Sequence, residues 1–183
     1  MRVLEKRIFT ITTQSASETR MLGRAIGEHL EGGEVVILAG SLGAGKTTMV
    51  QGIALGLGIS KSVSSPSFVL EKIYHGRLEL HHFDFYRLTQ DEVVESGLLL
   101  DLGPRSVAVI EWAERGGDAV PDWTLRVTIE FDVSSLDLSS QGSIDKRKIT
   151  FESATARWGE ILEYAIQRCK EVNEQDPGYR DQH

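Results

Sequence analysis

The strongest constraint on the fold is an eight-residue segment, 40–47, that reads GSLGAGKT. It has the G-x-x-x-x-G-K-[ST] spacing of a phosphate-binding loop, or P-loop. An apolar, β-branched run at 35–39 precedes it, and a segment of small and apolar residues typical of a helix, 47–57, follows it. A strand, a glycine-rich turn and a helix in this order place backbone N–H groups and a helix N-terminus against phosphate. The sequence therefore predicts a nucleoside triphosphate ligand.

The residue types of the loop suit separate tasks in phosphate binding. Glycines let the backbone turn so that successive N–H groups point at phosphate oxygens. Lys46 is predicted to reach the β- and γ-phosphates and is counted among the catalytic residues, and the Thr47 hydroxyl is predicted to bind Mg²⁺. The predicted nucleotide-binding residues are Gly43, Ala44, Gly45, Lys46, Thr47 and Thr48.

Composition narrows the class of protein. The chain has 183 residues, 40% hydrophobic and 26% charged, which is typical of a soluble globular protein. We expect one domain over 1–172 and a polar, flexible tail over 173–183. No apolar run approaches the ~20 residues that cross a bilayer, and residues 1–7 lack the apolar core of a signal peptide. With Cys169 as the single cysteine, we expect a cytoplasmic protein without membrane association.

The charge of the chain bears on its partners. The formal net charge is −7 at pH 7, and contacts with phosphate dominate affinity for nucleic acids. The sequence therefore argues against a broad nucleic-acid-binding face acting alone. We interpret the basic cluster at 146–148 as a solvated turn.

Apolar periodicity predicts strands that alternate with helices and then a strand-rich middle. This order indicates an α/β protein with the three-layer fold of P-loop NTPases, a mixed sheet flanked by helices. Ser15 and Glu18 have the spacing of a helix capping box, and 60–67 is interpreted as an exposed loop. Strands are expected at 7–12, 34–39, 68–74, 78–85 (a hairpin around Gly76), 107–110, 125–131 and 148–151, and helices at 15–31, 47–57, 88–97 and 155–172.

Two acidic residues at predicted strand ends complete the candidate site. Glu111 follows the apolar run 107–110, and Asp84 follows the less apolar run 80–83. Ligands of open α/β sheets bind at the carboxyl ends of strands, and hydrolysis needs carboxylates near Mg²⁺ and the attacking water. We assign Glu111 to the Mg²⁺ ion, directly or through water, and Asp84 to the attacking water or the γ-phosphate. The pattern leaves the reverse assignment open.

Several other side chains keep a structural and a functional interpretation. The hydroxyls of 64–67 either sense a γ-phosphate or belong to a plain turn. Arg87 either stabilises transferring charge or pairs with a surface acid, and Trp112 either covers the site, contacts a partner or belongs to the core. His81 and His82 point to opposite faces of a strand, so we expect one packed and one solvated histidine rather than a metal site.

Four ordered segments resemble the TsaE (YjeE) family. They are GSLGAGKTT at 40–48, SPSF at 65–68, HFDFYRL at 82–88 and IEW at 110–112. The resemblance extends over roughly residues 10–150. It implies an ATPase of the bacterial pathway that makes threonylcarbamoyladenosine in tRNA, with ATP and Mg²⁺ as cofactors. It also implies TsaB and TsaD homologues as partners, with tRNA met only indirectly through their complex.

The resemblance also implies roles for particular residues. Segment 65–67 matches the first nucleotide switch, Asp84 the second, and Glu111 the acid on the Mg²⁺ side. Ser41 replaces the acid that the family usually has, at a position where the side chain need not contact phosphate. Ser67 replaces the usual threonine, which keeps the hydroxyl and loses a methyl group.

Two other classes of protein use the same loop. A small-molecule or nucleotide kinase needs an acceptor pocket and usually an arginine-bearing lid, and no arginine-rich lid segment is visible in the sequence. A GTP-dependent switch usually reads guanine with an Asn-Lys-x-Asp segment, whereas the one asparagine is Asn173. The sequence does not identify the groups that hold adenine, for which 15–17 is the candidate segment.

Overall fold

The fold is an α/β sandwich with a seven-stranded sheet. A computed structural model describes residues 7–66, 69–97, 102–120, 122, 125–132, 145–153 and 155–175. Within these, the strands are β1 (Arg7–Thr13), β2 (Val35–Ala39), β3 (Glu71–His75), β4 (Glu79–Asp84), β5 (Ser106–Glu111), β6 (Leu125–Phe131) and β7 (Arg147–Ser153). The helices are α1 (Ala16–His29), α2 (Lys46–Gly56), α3 (Gln90–Ser96) and α4 (Ala156–Gln175), with 3₁₀ turns at Ala113–Arg115 and Gly117–Ala119.

The sheet places the P-loop strand at its centre. The strand order is β1-β7-β6-β2-β5-β4-β3. The neighbours of β2 are β6 and β5, both parallel to it, and β4 is parallel to β5. The pairs at the two edges are antiparallel. Because β2 is covered on both faces, its sequence is a continuous apolar run instead of an alternating one, and four of its five residues are buried.

Two hydrophobic clusters cover the two faces of the sheet and confirm the three-layer prediction. One cluster joins α1, α2 and α4 to the sheet through residues such as Leu22, Ile53 and Trp158. The other joins α3 to the opposite face through residues such as Phe83 and Val93. Side chains point alternately to the two faces along β4 and β5. Successive residues of these strands therefore pack in opposite clusters.

Helices α1 and α2 pack with their backbones close together. A Cβ atom on Gly27 would lie 2.2 Å from the carbonyl oxygen of Ile53. This approach requires glycine and holds α2, the helix that begins with Lys46, firmly against α1.

Local signals confirm most predicted elements, with differences at their ends. The Ser15 hydroxyl accepts from the Glu18 N–H at 3.2 Å, as predicted, but the Glu18 carboxylate accepts from the N–H of Gln14 at 2.8 Å instead of Ser15. Thr89 and Glu92 form a complete capping box at α3. The described part of the predicted loop, 60–66, is less exposed than predicted, since Val63 and Pro66 are buried.

The C-terminal helix is longer than the sequence indicates. It continues to Gln175, and so includes the first three residues of the predicted tail. The rest of the tail and residues 67–68 and 98–101 lie outside the described residues. No helix in the described part of the chain has the length and apolar character needed to span a membrane.

Candidate nucleotide site

The loop between β2 and α2 has a backbone that depends on glycine. Gly40, Gly43 and Gly45 have φ values of 140°, 76° and 112°. Gly45 is the N-cap of α2 and supplies no side-chain hydrogen bond to the helix. The first N–H groups of α2 are therefore not capped by their own N-cap residue, which suits a helix end that meets an anion.

The side chain of Lys46 lies along its own loop. The residue is 4% exposed, and its Nζ donates hydrogen bonds to the carbonyl oxygens of Gly40 at 2.8 Å and Ser41 at 2.9 Å. The same Nζ lies 4.2 Å from the centre of the Trp112 ring. The ammonium is thus held at the loop by weak acceptors that an anionic ligand can replace.

Burial controls the ionisation of this lysine. Desolvation lowers the pKa of Lys46 below its ordinary value of 10.5, and the carboxylates of Glu111, Asp84 and Glu114 act in the opposite direction. A bound polyanion would favour the charged form still further.

Glu111 contacts both the first turn of α2, which follows the P-loop, and the neighbouring strand β4. It is 3% exposed, at the end of β5. Its Oε1 accepts a hydrogen bond from the Thr47 hydroxyl at 3.1 Å and lies 2.9 Å from Nε2 of His82. The predicted Mg²⁺ residues Thr47 and Glu111 are therefore in direct contact.

Asp84 lies beside Glu111 at the same edge of the sheet. The two acids are register partners in the β4–β5 pair. Asp84 accepts from the Ser65 hydroxyl at 2.7 Å on Oδ2 and from the Tyr86 N–H at 3.0 Å on Oδ1. The Ser65 contact joins the serine-rich loop to the acids.

A cleft of about 300 Å³ brings the predicted residues together. It is lined by Leu42, Gly43, Gly45, Lys46, Thr47, Thr48, Ser65, Asp84, Tyr86, Glu111 and Trp112. Of the predicted site residues only Ala44 is absent from this lining. Ala44 is completely buried and borders a second cavity of about 90 Å³, which shares Gly43, Gly45 and Thr48 with the cleft.

The prediction for the two histidines is partly wrong. They do point to opposite faces, but both are buried, with His81 6% exposed and His82 0%. The ring nitrogens of His81 lie 2.7 Å from Glu71 and 3.0 Å from Glu79, away from the cleft. His82 contacts Glu111 and was missed as a site residue, although its position two residues before Asp84 puts it on the same face of β4.

The prediction for the basic cluster is also wrong. Arg147 begins β7 instead of lying in a solvated turn. Its Nε donates to the carbonyl oxygen of Ala44 at 2.8 Å, and its guanidinium lies 4.3 Å from the centre of the Phe131 ring. Because Ala44 is 103 positions away in the sequence, no local pattern indicates this contact with the P-loop.

The structure bears on the alternative roles predicted for Trp112 and Arg87. Trp112 is half-buried, has a φ of 60°, and packs on Tyr86 with ring centres 4.9 Å apart. It lines the cleft and also packs against the hydrophobic cluster on the α3 side of the sheet. Arg87 is exposed and does not line the cleft.

The fold and this site define a P-loop protein of the α/β class, with the loop after the central strand and two acids at the carboxyl ends of β4 and β5. The model of the family described as "Threonylcarbamoyl adenosine biosynthesis protein TsaE" matches residues 13–139. The chain belongs to the TsaE family, which confirms the resemblance seen in its sequence motifs.

Individual relatives agree with the family match. A tRNA threonylcarbamoyladenosine biosynthesis protein TsaE of Treponema pallidum is 42% identical over 118 residues, covering 64% of this chain and 87% of that protein. The protein of the same name from Bacillus subtilis is 33% identical over 165 residues, covering 90% and 93%. The crystal structure of Bacillus subtilis YdiB aligns with a TM-score of 0.67 at 28% identity, covering 89% of this chain and 97% of that one.

Proposed function

We propose that this chain binds ATP with Mg²⁺ and hydrolyses it in support of TsaB and TsaD homologues that form threonylcarbamoyladenosine in tRNA. The convergence of Lys46, Thr47, Asp84 and Glu111 on one cleft carries the ATPase part of the proposal. The tRNA part is supported by the names of the relatives, which are biosynthesis proteins for this tRNA nucleoside. The single buried cysteine, Cys169, suits the reducing cytoplasm in which such a pathway would work.

The donors at the loop fit Mg²⁺. The Thr47 hydroxyl and the Glu111 carboxylate are hard oxygen ligands, of the kind that Mg²⁺ prefers. Among the described residues, no group of three or more His, Cys, Asp or Glu is placed to hold a metal. This suits Mg²⁺, which usually takes one or two protein ligands and completes its shell with water and substrate phosphates. When bound, the ion would neutralise charge on the phosphates.

The residues of the cleft divide the work of hydrolysis. Lys46 would exchange the carbonyl oxygens of its own loop for phosphate oxygens, a stronger charge-assisted bond. Asp84 would orient a water whose oxygen forms a bond to the γ-phosphorus while the bond to the β-phosphate oxygen breaks. The products are ADP and inorganic phosphate, and the proton lost by the water passes to solvent or phosphate. Glu111 would hold Thr47 on the Mg²⁺ side.

The small second cavity suits the nucleoside end of the ligand. It is bordered by Ala16 from the candidate adenine segment 15–17, and by Arg147 from β7. Because it shares loop residues with the larger cleft, a triphosphate on the loop could direct its base to this side. The net charge of −7 supports indirect contact with tRNA through protein partners, since an acidic chain has little of the positive surface that phosphates require.

The proposal is tested by ATPase measurements with and without the TsaB and TsaD homologues of the same organism. We expect slow hydrolysis alone and a change of rate with the partners. Glu111→Ala should retain some nucleotide binding and lose hydrolysis, whereas Glu163→Ala, which removes an exposed acid of α4 outside the cleft, should leave both unchanged. Undiminished turnover in Glu111→Ala would overturn the assignment of Glu111. Phosphoryl transfer to an added acceptor would indicate a kinase instead.

A further inference from the structure

His82 is buried against the acid that meets the P-loop. It is 0% exposed and lies on β4, two residues before Asp84. Its Nε2 is 2.9 Å from Oε1 of Glu111, the oxygen that also accepts the Thr47 hydroxyl at 3.1 Å. A chain of two hydrogen bonds therefore connects His82 to the first turn of α2.

The chemistry of its partner assigns a proton to Nε2 of His82. A carboxylate oxygen only accepts hydrogen bonds, so the contact with Glu111 requires an N–H at Nε2. The other nitrogen, Nδ1, is buried and has no hydrogen-bond partner among the described residues. A buried nitrogen without a hydrogen-bond partner is unfavourable in a protein interior. The presence of histidine at this position therefore needs another explanation.

We propose that His82 is a positioning residue, which holds the Glu111 carboxylate against Thr47 by donating from Nε2. The proposal rests on the proposed function, in which Glu111 and Thr47 form the Mg²⁺ side of the site. With one oxygen occupied by two donors, the carboxylate has a single orientation at the end of β5. Hydrogen-bonding partners behind a metal ligand act in this way in many sites, and removing them usually costs about 10- to 100-fold in metal affinity or activity.

The neighbouring His81 is a matched control. It is also buried in β4 and also contacts carboxylates, those of Glu71 and Glu79, but it lies on the opposite face of the strand. His82→Leu removes the donor, and His82→Gln keeps an N–H near the place of Nε2. We expect His82→Leu to lower kcat and raise the half-saturating Mg²⁺ concentration, together by about 10- to 100-fold. At saturating Mg²⁺ the KM for ATP should change little, His82→Gln should recover most of the loss, and His81→Gln should resemble the wild type.

Two measurements do not depend on turnover. Ring ¹⁵N NMR of the nucleotide-free protein should show a proton on Nε2 of His82, and a ring protonated on Nδ1 but not on Nε2 would overturn the proposal. Mg²⁺-dependent binding of a fluorescent ATP analogue should weaken in His82→Leu, and in a Glu111→Ala background the same change should have no further effect. An equal loss in both backgrounds would mean that His82 acts only through the fold.

These outcomes separate the two proposals. If the wild type does not hydrolyse ATP with or without its partners, the proposed function fails, while the tautomer and the Mg²⁺-dependent binding still decide the role of His82. If His82→Leu does not fold, the activity of His82→Gln and the tautomer of His82 test the positioning role instead. A loss of about 10- to 100-fold in His82→Gln, with His81→Gln unaffected, would refute the positioning role.

Discussion

Gly40, the first residue of the P-loop, is a position at which a single added methyl group should strongly destabilise the fold. Its φ of 140° is a conformation that residues with a side chain rarely adopt. A Cβ atom there would lie 2.2 Å from the carbonyl oxygen of Ile129 and 3.4 Å from the Cβ of Ala44. Gly40→Ala therefore strains the loop and also pushes it away from β6.

The size of the effect follows from these two contributions. A non-glycine residue in such a region costs about 1–3 kcal/mol, and forcing an atom into a packed site costs about 1–3 kcal/mol more. We expect Gly40→Ala to lower the free energy of unfolding by about 4 kcal/mol. Gly43→Ala is the control, since its φ is 76° and its nearest atom, Cζ of Phe131, is 4.0 Å away. It should cost only about 1–2 kcal/mol, the price of a left-handed alanine.

Urea unfolding of the two variants without nucleotide measures this difference. At about 2–4 °C per kcal/mol for a chain of this size, the melting temperature of Gly40→Ala should also lie several degrees below that of Gly43→Ala. Equal losses in the two variants would refute the reasoning, because they would show that the approach of the loop to Ile129 has no energetic consequence.

Two further predictions concern the cations at the loop. Because burial lowers the pKa of Lys46, affinity for ATP should begin to fall at a pH below 10.5, as the lysine loses its proton. The Lys46→Met variant should bind ATP more weakly and should lack this fall at alkaline pH. The same fall in both proteins would contradict the assignment of Lys46 to the phosphates. Arg147→Met removes a charged donor from the Ala44 carbonyl and an aromatic contact, so it should lower the free energy of urea unfolding by about 1–2 kcal/mol. The exposed Lys148→Met should cost little, and equal losses would contradict a role for Arg147 at the loop.

Local patterns were sufficient where a few neighbouring residues determine the structure. The P-loop, the helix α3 and the hairpin around Gly76 were all predicted from short segments, because backbone conformation and helix boundaries depend on adjacent residues. The acids at the ends of β4 and β5 were assigned to one site by a general rule of topology, since ligands bind where parallel strands end at one edge of the sheet.

The errors arose where burial or contact depends on distant parts of the chain. One of His81 and His82 was expected to be solvated, but both are buried, because β4 is covered on both faces by elements that a strand pattern does not reveal. Arg147 belongs to a basic cluster that resembles a solvated turn in the sequence. Its structural role is a hydrogen bond to the carbonyl oxygen of Ala44, 103 residues earlier. Charged side chains are assigned to solvent by default, and only a tertiary partner can overrule this assignment.

By itself, then, the sequence determined the class of fold, the family and the loop that meets phosphate, because each depends on residues adjacent in the chain or on ordered motifs. Only the tertiary structure decided how that loop is supported. It placed His82 behind Glu111, Glu111 against Thr47 and Arg147 on the Ala44 carbonyl. These hydrogen bonds join strands and loops that are far apart in sequence, and their distances exist only once the sheet has formed.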